Sequence, residues 1–104
     1  MFKGVYKIEY IMNSNDFAVR ALHSVCRHCF HKLNPKEKEI IGNMLYIIST
    51  EKTNFDTIVK SNIDMFRKVY DILYLQTDLT PTLTNYAGIV LGKMEDIFSE
   101  DDDH

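Results

Sequence analysis

Within nine residues the chain places His23, Cys26, His28, Cys29 and His31, side-chain types that bind zinc, exchange disulfides or serve as activated nucleophiles. Whether they can act together depends on the backbone that carries them. On a helix at about 100° per residue, Ala18, Val19, Leu22, Val25, Cys26, Cys29, Phe30 and Leu33 share one arc. Arg20, Ser24, Arg27, His28, His31 and Lys32 share the opposite one, with His23 on the border beside Phe30. The cysteines therefore point into an apolar stripe, and His28 and His31 point away from it. One helix cannot bring all four to a single ion.

His23, Cys26 and Cys29 could supply three zinc ligands, with His104 or a carboxylate as the fourth; a zinc or redox site at Cys26/Cys29 stands as an alternative reading. A redox Cys-x-x-Cys pair usually sits at a helix N-terminus, where the dipole lowers the thiol pKa. This pair lies mid-helix or later. No glycine-rich nucleophile turn, oxyanion hole or phosphate-cradling loop accompanies it, and the four glycines are scattered. The sequence reads as non-enzymatic, with no metal and no cofactor implied.

The elements that position these residues follow from local signals. Asn13-Ser14-Asn15-Asp16 offers N-caps for a helix over 16–33. Asn34-Pro35 ends that helix and starts a second near 35–50, because the residue before proline resists the α region and proline suits the first helical position. Thr53-Asn54 caps a third helix near 55–76, whose outer face is a ladder of Asp56, Lys60, Asp64, Lys68, Arg67 and Asp71 with opposite charges four apart. Asn62 falls inside its apolar half and is placed at the rim. Asp78-Leu79-Thr80-Pro81 breaks the chain before a fourth helix near 81–99, with Gly88 and Gly92 on its outer side. Ahead of all these, Phe2, Tyr6, Ile8, Tyr10 and Met12 alternate as in a strand. No second strand is evident, so this segment pairs with its copy or lies as an arm.

The expected fold is mainly α: a four-helix bundle or orthogonal array preceded by an N-terminal strand or extended arm. One domain spans 1–99, with 1–12 extended and 100–104 an acidic disordered tail. The length of 104 residues, with 45% hydrophobic and 26% charged residues, suits a single globular core. Met1 to Lys7 lacks the apolar block of a signal peptide, and no apolar run approaches the roughly 18 residues of a membrane span. Two cysteines do not make a secreted scaffold. The expected setting is the cytoplasm, without a membrane partner.

The net charge of −3 hides a split. Residues 17–38 carry Arg20, Arg27, Lys32, Lys36 and Lys38 against Glu37 alone; the chain end carries Glu95, Asp96, Glu100, Asp101, Asp102 and Asp103 against Lys93. The candidate binding surface is therefore Arg20, Arg27, His28, His31, Lys32, Lys36 and Lys38. The candidate dimer interface is Phe2, Tyr6, Ile8, Tyr10, Gly88 and Gly92. The favoured function is a small non-catalytic helical interaction or regulatory protein, acting as a homodimer on a protein partner. The alternative is nucleic-acid binding through the basic face. The acidic tail could solubilise the chain, mask the basic face, or imitate nucleic-acid phosphates. Richness in Ile, Asn, Lys, Asp and Tyr with no Trp is the composition of an AT-rich genome, which fits a phage or viral accessory protein working in host cytoplasm.

Overall fold

Asp16 opens the helical part of the chain by serving two helices at once. The computed structural model describes residues 16–102, and its first described side chain caps α1, Phe17–Cys29. One oxygen of Asp16 accepts from the backbone N–H groups of Ala18 (3.0 Å) and Val19 (3.4 Å); the other accepts from the N–H of Phe55 at 2.5 Å. Phe55 begins α3, Phe55–Ser61. A single carboxylate thus satisfies otherwise unpaired donors at the positive ends of two helices.

α1 buries Ala18, Val19, Ala21, Leu22, His23, Val25, Cys26 and Cys29, the arc its periodicity predicts with Ala21 and His23 added. After Cys29 the chain tightens into a 3₁₀ turn, Phe30–Lys32, and Leu33 returns to the core. α2, Pro35–Thr50, starts on a capping box: Asn34 accepts from the Glu37 N–H at 2.8 Å, and the Glu37 carboxylate accepts from the Asn34 N–H at 3.1 Å.

The helix expected over 55–76 is two helices, α3 and α4, Ile63–Tyr74, broken at Asn62. Asn62 sits at φ −136°, ψ 44°, half-buried at the rim, and its side-chain amide donates to the Ile58 carbonyl at 2.8 Å. Asparagine competes in this way with the helical ladder, replacing the hydrogen bond that the bend removes. Phe55 and Phe66 meet edge-on at 6.4 Å from the two sides of the bend.

α5, Pro81–Asp102, begins where the Thr80 hydroxyl accepts from the Leu83 N–H and runs farther than expected. The acidic segment from residue 100, expected to be disordered, is helical through Asp102; cations from α3 and α4 hold it, as described below. α5 is the axis of the fold, packed by α1, α3 and α4, while α2 leans on α4. Phe17 meets Tyr86, and His28 at the other end of α1 meets Asp78 just ahead of α5, so the two helices run antiparallel. The fold is mainly α, with five α-helices and no strand among the described residues. The strand or arm expected over 1–12 lies outside them. Among the described residues no helix is long and apolar enough to cross a membrane.

Candidate interaction surface

The Cys/His cluster divides as helix geometry requires. Cys26 and Cys29 are fully buried with free thiols, and the Cys29 Sγ lies 3.8 Å from the Cys26 carbonyl. Burial raises both thiol pKa values, well above the ordinary range for Cys26, where Cys29 adds to the effect. A thiol held protonated is a poor nucleophile and a poor metal ligand. His23 is buried on the same helix, and burial with the charge of Arg27 one turn away lowers its pKa. Among the described residues no three His, Cys, Asp or Glu side chains converge as a ligand set.

The seven basic candidates meet different fates. His28 Nε2 lies 3.2 Å from the Asp78 carbonyl oxygen. Lys32 Nζ donates to the same oxygen at 3.4 Å and stands 3.6 Å from the Asp78 carboxylate. Together they clasp the α4–α5 connection to the end of α1. Lys38 lies over the Phe30 ring, 5.8 Å from its centroid, which draws the start of α2 against the 3₁₀ turn. Arg20 is exposed. Arg27, His31 and Lys36 are exposed too, with no ion pair among the described residues. Arg20 and Arg27 are two helical turns apart, about 10 Å, on one outer stripe of α1. Lys36 also borders a shallow groove of about 390 Å³ between α2 and α4, floored by Ile40 and Ile72 and edged by Glu37, Lys68 and Asp71.

The acidic end of α5 is occupied within the molecule. Arg67 of α4 contacts both Asp101 (3.2 Å) and Asp102 (2.7 Å), and its guanidinium lies 4.8 Å from the Phe98 ring centroid. Lys60 approaches Glu100 at 3.6 Å, and Lys93 approaches Asp56 at 3.9 Å. The Tyr70 hydroxyl donates to Glu95 at 2.5 Å; this bond, with desolvation, pushes its pKa up to about 12. Of the charges read as a ladder along one helix, Asp56, Lys60 and Arg67 therefore reach across to α5. These acids meet α3 and α4, at the end of α5 away from the Asp78 clasp, so masking of the α1 basic face by residues 100–102 is not what the fold does.

Gly88 is exposed and Gly92 half-exposed, and a Cβ at either would meet nothing within 4 Å. The other dimer candidates, Phe2, Tyr6, Ile8 and Tyr10, lie outside the described residues. Sequence reasoning missed the second bond of Asp16, to Phe55, the clasp at Asp78 and the Arg67–Phe98 stack, whose partners are remote in sequence. It also missed the exposed Phe17, Tyr74, Leu75 and Ile89. Helix projection could have found Ile89; for the end of α4 no local signal existed. Comparison with protein-family models, curated proteins and solved structures gives no match to this chain.

Proposed function

We propose that the chain is a non-catalytic helical binding module that works as a homodimer. Its basic surface, from the outer arc of α1 to the first turn of α2, docks an acidic patch on a protein partner and modulates that partner. The observation that carries this reading is the unequal use of charge. Arg27, His31 and Lys36 are exposed with no ion pair among the described residues, while the carboxylates of Glu100, Asp101 and Asp102 are matched to Lys60 and Arg67. Exposed basic side chains such as Arg27 and Lys36, with no ion pair among the described residues, can steer and orient an acidic surface.

Nucleic acid is the weaker fit. A net charge of −3 and a carboxylate-rich end give the whole molecule a repulsive far field toward a polyanion, whereas nucleic-acid binders are usually basic overall.

The test is a photoactivatable amino acid in place of His31, irradiated in extract of the cells that carry the protein. The expected result is a defined protein adduct that disappears when Arg27→Glu and Lys36→Glu are added. No protein adduct, together with salt-sensitive binding of an oligonucleotide that the same charge reversals weaken, would replace this reading with nucleic-acid binding.

A further inference from the structure

The last turn of α5 carries a hydroxyl that the fold does not use. Ser99 is exposed, and among the described residues its hydroxyl makes no hydrogen bond. Other hydroxyls are engaged: Ser49 and Thr50 both donate to the Tyr46 carbonyl, and Thr80 accepts from the Leu83 N–H. Glu100, Asp101, Asp102 and Asp103 follow Ser99 directly. No other serine or threonine is followed by more than one carboxylate in the next four positions. The hydroxyl is the reactive group here, and the acids are what a partner would read beside it.

Cations already read these acids inside the molecule: Arg67 contacts Asp101 and Asp102, and Lys60 approaches Glu100. We propose that Ser99 is phosphorylated by a protein kinase of the acid-directed class, whose basic residues take the place of Lys60 and Arg67 on the carboxylates after the serine. The turn is suited to open for this. Its ion pairs are half-exposed, and it holds no basic residue to offset the negative end of the helix dipole. In the transfer, the Ser99 Oγ bonds to the γ-phosphorus of Mg–ATP as the bond from that phosphorus to the bridging oxygen breaks. The hydroxyl proton passes to the kinase's catalytic aspartate, and ADP leaves.

The phosphate adds about −1.5 to −2 charge at neutral pH. Glu95 and Asp96 lie one turn before Ser99 and Asp102 one turn after it, so the new charge stands among like charges on a shared face. Among the described residues, the cations of α3 and α4 that reach this turn, Lys60 and Arg67, already face carboxylates. The phosphate also opposes the helix dipole. Phosphorylation therefore releases the turn that Lys60 and Arg67 hold, and with it the stack of Arg67 on Phe98. This device goes beyond the docking reading above and does not depend on it.

The test incubates the full chain with Mg–ATP and an acid-directed serine/threonine kinase, and follows the rate and position of phosphate incorporation by mass spectrometry. Phosphate should appear at Ser99 and be absent in Ser99→Ala. Arg67→Ala frees the turn and should be modified faster, by about twofold or more. Asp102→Asn frees it too, yet removes a carboxylate that the kinase reads, and should be modified about tenfold more slowly. A serine that reacts only because it is exposed would be modified faster in both. In the phosphorylated chain, amide exchange should quicken at residues 98–102 and stay slow around Val90 and Met94. No phosphate at Ser99, or a faster reaction in Asp102→Asn, would overturn the site. Slower exchange at residues 98–102 would overturn the release.

Discussion

At the end of α5 the carboxylates of Glu100, Asp101 and Asp102 face cations from α3 and α4, whereas Arg27 on the outer arc of α1 and His31 in the 3₁₀ turn after it face water. Both regions are charged surfaces on amphipathic helices, and the difference lies in their neighbours. α4 packs beside α5 through the shared core, so Phe66 and Val69 go inward while Arg67 is carried to the rim next to Phe98. Among the described residues no helix offers Arg27 such a neighbour; the α4–α5 connection offers Asp78, which His28 and Lys32 take up. Formal charge along a sequence locates both poles. Only packing decides which pole is already matched and which remains available to a partner.

The largest expected effect tests whether α1 is placed by its backbone cap or by its cations. Asp16→Ala removes the acceptor shared by Ala18, Val19 and Phe55 and should destabilise the fold by about 2–3 kcal/mol in urea unfolding. A loss no larger than that of an ordinary surface substitution would mean that the α1–α3 junction is held by something else.

A second effect comes with acid. The pKa of His23 is held below 6.5 in the folded chain, so the unfolded chain binds the proton more readily. His23 contributes its stability fully above about pH 6.5, and that contribution is lost as pH falls through the folded-state value. His23→Gln should flatten this part of the stability–pH curve, read by thermal melting at a series of pH values. Arg27→Gln should raise the His23 pKa slightly towards its unfolded value, so that the loss is smaller and is complete at a higher pH.

At the other pole, Arg67→Ala should release the last turn of α5. Amide hydrogen exchange at residues 98–102 should quicken while the centre of α5, around Val90 and Met94, stays protected. High salt should produce part of the same change in the wild type, since these pairs are half-exposed. The smallest effect is expected for Arg27→Glu with Lys36→Glu. If these cations have no structural partner, the unfolding free energy should stay within about 0.5 kcal/mol of wild type.

Much of this contrast was legible before any coordinates. Asp16, Asn34-Pro35, Asn54 and Thr80-Pro81 are starts that act within a few residues, and each begins a helix where its chemistry says it should. The buried side of α1, with Cys26 and Cys29 in it, followed from period alone, as did the exposure of Arg27 and His31. The break at Asn62 did not, because the apolar spacing of Val59, Ile63 and Phe66 continues through it and the asparagine side chain conceals the interruption. The extension of α5 to Asp102 depends on Arg67, more than thirty residues earlier in the chain. The capture of His28 and Lys32 by Asp78 spans still more. Contacts of that range leave no periodic trace.

The most direct test sets the two poles against each other in one cross-linking measurement, with a photoactivatable residue at position 31 and the yield of protein adduct as the readout. One variant carries Arg27→Glu and Lys36→Glu, the other Asp101→Asn and Asp102→Asn. The available-cation account predicts that the first loses the adduct with its melting temperature unchanged, and that the second keeps the adduct while melting earlier. Loss of the adduct in the second variant, with retention in the first, would contradict it.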